Sequence, residues 1–388
     1  MSQFGVWSKD FVVNALVNFI AFLVFYLFTI ILVEYAVHDL QATVGEAGLA
    51  VGLFVIFEFV GRIIAGRLST SMALKPLLII GTVVYLLSSL LYLPIHSLGL
   101  LYGLRMVHGT AFGIIATATT TIVTRLVPAE HHGEGIGYFA LGITLATAIG
   151  PFAGMWLQQY GSYVIIEWFC AALSLLGVVL ALLLHVPAEA GASRVPQKHG
   201  IAAYVEYSIL PLGLIGLLIG MCFSGIISFM SPYIKEIGLA QSGSWFFIVY
   251  AVAIILSRPF VGRFFDRRGE NFVMYPLFIS FALGMFCLGS AESAGMLFLS
   301  AALVGIGYGS FNPSAQALSV KLTTLDRAGV ATATFSALFD IGMGLGAYVL
   351  GMFVPILGYR SLYISTVGII VVCIALYYGV HGRKAGRC

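Results

Sequence analysis

The chain has 388 residues, of which 60% are hydrophobic and 9% charged, with a formal net charge of +3. A soluble domain is nearer half apolar and a quarter charged, so a surface bathed mainly by water is excluded. No Walker loop and no helical H-E-x-x-H occur, which removes ATP as the evident energy source and argues against an intramembrane protease.

Long apolar runs alternate with short polar breaks, the pattern of an all-α, polytopic membrane protein. The alternating ten-residue pattern of a membrane barrel is missing. Twelve spans are expected, at 11–33, 47–68, 74–94, 98–124, 134–158, 163–186, 207–231, 243–265, 272–291, 294–320, 328–355 and 359–380. The first is longer than the apolar core of a signal peptide and no small-residue cleavage site follows it, so it reads as a retained helix. It ends near Glu34. In the second, Glu58 precedes Arg62 by one turn in the favourable order, which reads as an internal ion pair or as a proton carrier. The fourth holds "LRMVHGTAFG", with Arg105 and His108, and the fifth holds "AIGPFAGMW". The polar stretch "VPAEAGASRVPQKHG" after the sixth reads as a flexible cytoplasmic linker, giving halves 1–186 and 207–388 joined by 187–206. Between the eighth and ninth spans, "SRPFVGRFFDRRGENF" concentrates charge in an expected inner loop. The eleventh carries Asp340 in "SALFDIGMGLGAY". Glu167, near the start of the sixth, reads as shallow.

Placing the N-terminus inside puts sixteen of the 19 Lys and Arg on or beside the cytoplasmic face, with Lys235 and Arg360 outside and Arg105 within a span. That is a strong positive-inside bias. The positive charge therefore signals orientation rather than nucleic acid. Both termini are expected in the cytoplasm and the chain in the plasma (cell inner) membrane. Cys170, Cys222, Cys287 and Cys373 sit in apolar spans without metal or redox spacing, so they read as small hydrophobes and no metal or cofactor is expected.

The chain also repeats itself at an offset of 196 positions. Arg62, Gly66 and Arg67 fall on Arg258, Gly262 and Arg263; Gly109 and Gly113 fall on Gly305 and Gly309; Gly150 falls on Gly346. Two six-helix pseudo-repeats of the same orientation follow. This layout resembles the major facilitator superfamily. The family's G-x-x-x-D-R-x-G-x-x motif fits Gly262, Asp266, Arg267 and Gly269. Its first copy is degraded: Gly66 is kept, but Thr70, Ser71 and Ala73 stand where Asp, Arg and Gly belong. Arg105 and Gly109 resemble the family's R-x-x-x-G of helix four, whose Arg is linked to proton coupling in exporters. Gly150, Pro151 and Gly154 resemble the G-P-x-x-G of the antiporter motif, with Ala146 and Met155 replacing two further glycines.

The resemblance implies a non-enzymatic secondary transporter. The closest match in motifs is to the twelve-helix, proton-coupled efflux branch. An importer or facilitator of a sugar or organic acid is the alternative. It also implies a cavity lined by the first, fourth, seventh and tenth spans, which offer Asn18, Phe22, Tyr26, Arg105, His108, Ser224, Ser228, Asn312 and Gln316. Partners are then protons, the bilayer and a small amphipathic or weakly polar molecule, or an anion held by Arg105, with the chain a monomer. Asp266 and Arg267, with Gly262 and Gly269, form an expected conformational latch, the bland alternative being a topology signal. An ionisable group at mid-bilayer costs roughly 2.5–3.5 kcal/mol, so Arg105 either faces a cavity or reaches the outer interface. Asp340, near mid-membrane, either carries a proton or is hydrogen-bonded to a partner helix. Glu58 and Glu34 are the further acids for proton coupling.

Overall fold

The computed structural model describes residues 7–69, 72–128, 131–160, 162–186, 205–324 and 327–383. Thr70 and Ser71 of the degraded motif, and positions 187–204 of the expected linker, lie outside the described residues. All regular structure among the described residues is helical. The helices are α1 (Lys9–Asp39), α2 (Val44–Leu68), α3 (Leu74–Leu90), α4 (Leu98–Leu126), α5 (His132–Tyr160), α6 (Tyr163–Leu183), α7 (Leu210–Glu236), α8 (Ala240–Arg268), α9 (Glu270–Gly289), α10 (Ala294–Lys321) and α11 (Ala328–Tyr377). Among the described residues ten helical segments are long and apolar enough to cross a membrane, and α3 is a shorter apolar helix.

Two differences from the expected elements are physical. At 50 residues α11 is more than twice the length one crossing needs. It breaks at Gly358, whose φ of 70° and ψ of 166° only glycine adopts readily, so the two expected spans 328–355 and 359–380 share one nearly continuous element. The charged segment from Ser257 is not a loop. α8 continues through Arg268, and Gly269 alone (φ 83°, ψ 169°) separates it from α9. The charges decorate a helix end that outlasts the apolar run.

The chain divides into two compact units, Met1–Ala42 with Leu53–Arg194, and Thr43–Gly52 with Val195–Cys388. Within the first, α1 packs on α4, α5 and α6, and α3 on α4 and α6. Within the second, α7 packs on α11, and α10 on α8 and α9. The offset of 196 recurs in the packing of each. A Cβ added to Gly109 or Gly113 of α4 would collide with the carbonyls of Phe54 or Glu58 on α2. One added to Gly305 or Gly309 of α10 would collide with the Tyr250 carbonyl or the Ile254 side chain on α8. Each contacted pair is shifted by the same 196 positions. Even the caps repeat: Ser97 accepts from the Leu100 N–H at 3.4 Å, and Ser293 from the Met296 N–H at 3.3 Å, satisfying an orphan donor at the start of α4 and α10.

Candidate functional site

Arg105 is fully buried on α4, inside the first unit. Its guanidinium carbon lies 4.3 Å above the Phe54 ring, where the ring's negative face attracts a cation. Nη1 donates to the Tyr92 hydroxyl at 3.2 Å, and that hydroxyl lies 3.1 Å from Nδ1 of His108. A phenol that accepts from arginine has its own proton to give. That proton can go to Nδ1, and Nε2 of His108 is buried without a partner. Tyr85, Phe54, Tyr92 and Phe28 surround the imidazole, with ring centroids 4.2, 5.4, 5.6 and 6.1 Å away. Sequence reasoning picked out Arg105 and His108. It missed Tyr92, just past the end of α3, and Phe54 of α2, which look like ordinary core aromatics.

The unit therefore holds a delocalised cation and an imidazole joined by one phenol. In the second unit the positions 196 residues on are Ala301, Leu288 and Val304, so the set does not repeat there.

The other expected residues divide by unit. In the first, Asn18 is 1% exposed and accepts from Thr119 Oγ1 at 3.0 Å, while Asn14 donates to the Thr119 carbonyl at 2.9 Å. Asn18 Nδ2 and Asn14 Oδ1 are left buried without partners. Phe22 and Tyr26 are half-buried, with Phe22 edge-on to Phe112 at 4.8 Å. Arg62 donates to Glu58, which is 7% exposed, and Glu34 is half-buried at the end of α1. Gly150 and Gly154 of α5 face α1; a Cβ there would come within 2.8 Å of Tyr26 and Ile30 side chains. Pro151, between them, lies inside the helix.

In the second unit Ser224 donates to the Met221 carbonyl at 2.8 Å, and Ser228 is fully buried without a partner. Gln316 donates to Asn312 at 2.8 Å. Asp340 is half-buried on α11. Asp266 and Arg267 are exposed in the last turn of α8, and a Cβ on Gly262 would meet open space, so no close helix approach within this unit requires that glycine. Glu270 at the start of α9 accepts from Lys321 at 3.4 Å and lies 2.9 Å from His381 Nε2. Among the described residues no group of three His, Cys, Asp or Glu is placed to hold a metal ion.

The sequence pattern of the Major Facilitator Superfamily matches residues 15–294 and 212–387. The chain belongs to that family and is a multi-pass membrane transporter. It is 26% identical over 386 residues to an uncharacterised MFS-type transporter of Methanocaldococcus jannaschii, covering 96% of this chain and 97% of the other. It is 21% identical to the staphylopine export protein of Staphylococcus aureus, covering 87% and 88%. Among solved structures it resembles the nucleoside transporter NupG with a TM-score of 0.82 at 14% identity, covering 96% of this chain and all 100% of that one. A bacterial homologue of the human lysosomal transporter Spinster matches with a TM-score of 0.78 at 15% identity, covering 96% and 98%. At such identities the structural likeness speaks for the fold.

Proposed function

We propose that the chain is a proton-coupled exporter of a small organic molecule, working by alternating access through twelve crossings with both termini in the cytoplasm. The observation that carries the coupling is Arg105. A guanidinium at zero exposure in a spanning helix is costly, and its counterpart in the repeat is alanine, so the fold itself does not require it. Arg105 and His108 set the charge on the first unit's side. Asp340, Glu58 and Glu34 are the acids that take up and release the coupled protons under that charge. Asn18, Phe22, Tyr26, Ser224, Ser228, Asn312 and Gln316 supply a mixed aromatic and hydrogen-bonding lining, suited to an amphipathic or weakly polar substrate. Asp266 and Arg267, between Gly262 and Gly269, latch the cytoplasmic ends.

Export rather than import is supported by the Gly150-Pro151-Gly154 seam and by the efflux names among the relatives: staphylopine export, and a multidrug resistance protein of Proteus mirabilis 26% identical over 40% of this chain. One proton driven by a 100 mV potential supplies about 2.3 kcal/mol, and each pH unit about 1.4.

The test uses the purified chain in liposomes with a panel of drug-like dyes and organic acids. A pH gradient should drive accumulation of at least one compound, a protonophore should abolish it, and substrate addition should release protons. Asp340→Asn should keep substrate binding and exchange but lose pumping. Uptake that runs down the substrate's own gradient and ignores the protonophore would favour a facilitator instead.

A further inference from the structure

Glu167 lies on the inward stripe of α6 with Cys170 and Ser174 and is 2% exposed. α6 packs on α1 and α3, and Ser174 lies 3.1 Å from Ser89 of α3. Among the described residues the Glu167 carboxylate makes no hydrogen bond and no ion pair. Tyr163 stands one turn earlier on the same face. Its ring stacks flat on Tyr35 of α1, with centroids 4.0 Å apart and planes at 11°. Tyr35 donates its hydroxyl to the Ile95 carbonyl at 3.0 Å, whereas the Tyr163 hydroxyl is buried without a partner.

The repeat supplies a comparison. At the offset of 196, Glu167 corresponds to Tyr363 and Tyr163 to Tyr359. Tyr363 is 1% exposed and donates its hydroxyl to the Gly225 carbonyl at 3.2 Å. The second unit thus fills the position with a neutral O–H group. The first fills it with an acid that is neutral only when protonated.

The titratable groups that act on it are Tyr35 and Asp39 from α1, Tyr92 just past the end of α3, and Tyr163 and Cys170 on α6 itself, while Arg105 and His108 of α4 stand behind Tyr92, against its hydroxyl. Asp39 is of like charge. Arg105, the cation, is engaged by Tyr92 and Phe54. An ionised carboxylate left unpaired in such surroundings is far more costly than the neutral carboxylic acid.

We propose that Glu167 is a proton-exchange site of the transport cycle, protonated in the conformation described here. When its face of α6 is hydrated, the carboxyl O–H bond breaks, the proton passes to water and the carboxylate remains. The spare Tyr163 hydroxyl is the positioning group that donates to that carboxylate. The role in transport rests on the proton-coupled reading above; the protonation does not.

The first experiment needs no substrate. The purified full chain is treated across a pH series with a hydrophobic carbodiimide, which modifies protonated carboxyls in apolar surroundings, and peptides are read by mass spectrometry. Glu167 should be modified at neutral pH in clear preference to the exposed Glu134, and modification should fall as pH rises. Tyr163→Phe should move that fall to higher pH. In parallel, infrared spectra of wild type and Glu167→Gln should differ by loss of a protonated-carboxyl C=O band. A Glu167 that neither labels nor contributes that band at neutral pH overturns the proposal. In liposomes, Glu167→Gln should abolish pH-driven accumulation of ethidium or another dye that wild type pumps, while leaving dye binding. Survival of pumping in that variant, with the site titrating as expected, overturns the role in transport. Failure of the proton-coupled reading itself is visible separately, as wild type that pumps nothing under a pH gradient.

Discussion

The hydroxyl of Tyr92 lies 3.2 Å from Nη1 of Arg105 and at the same time 3.1 Å from Nδ1 of His108. One phenolic oxygen therefore bridges a buried cation and a buried imidazole. Tyr92→Phe keeps the ring stack on Phe28, centroids 4.5 Å apart, and removes only the two hydrogen bonds. The variant is expected to fold and to lose about 1–3 kcal/mol, the cost of stranding buried polar groups, read as a lowered melting temperature in detergent. Transport should fall with it.

Arg105→Lys separates charge from shape. Lysine keeps a cation but loses the planar fork that reaches Tyr92 while lying over Phe54. A desolvated cation–π contact is worth about 2 kcal/mol. Arg105→Lys should therefore be less stable than wild type and transport poorly, and Arg105→Ala should not transport at all. Wild-type transport by the lysine variant would mean that charge alone is used there.

The repeated glycines give a paired test. Gly109→Ala and Gly305→Ala each drive a methyl into a neighbouring backbone and should destabilise by about 1–3 kcal/mol. Gly66→Ala and Gly262→Ala, where a Cβ meets nothing within 4 Å, should leave thermal stability unchanged within about 0.5 kcal/mol. Equal losses at all four sites would contradict the packing described here.

Gly358→Ala places a side chain at a φ of 70°. The strain is about 1–3 kcal/mol. Relief by straightening the helix would displace the segment that follows, so limited proteolysis near residue 358 should change along with the melting temperature.

Glu206, ahead of α7, accepts from Arg327 and from Ser208. Those bonds hold its carboxyl below the ordinary glutamate range. A group depressed in the folded state stabilises it above the unfolded pKa and loses that contribution as pH falls through the folded pKa. Stability of the wild type should therefore drop as pH goes below about 4.3, the ordinary glutamate value, and Arg327→Ala should flatten that acid limb. Unfolding midpoints at several pH values read it directly.

Much of the fold was legible because the bilayer imposes one simple requirement, an apolar run about as long as the membrane is thick. The Ser257–Phe272 segment misled because charge was equated with a loop. A helix has no need to stop where its apolar run stops, and Arg263, Asp266 and Arg268 ride on its end. The candidate site was half legible. Arg105 stands out because a cation is rare in apolar sequence. Its partner Phe54 is one of 29 phenylalanines, and nothing local marks it. Glu167 was set aside as shallow because position along a helix is readable from sequence and the face it occupies is not, unless neighbours are known. The 196-residue offset held the missing signal: it aligns Glu167 with a tyrosine that the second unit buries.

The glycine seams carry a mechanical consequence. Where Gly61, Gly109 and Gly113 bring α2 and α4 backbone to backbone, no flexible side chain lies between the helices to absorb displacement. The pair is stiff against sliding, more so than α8 and α10, where the Ile254 side chain lies against Gly309. A push applied at one end of α4 is delivered at the other almost undiminished, as along a strut. Bending within the first unit is then confined to places without such seams.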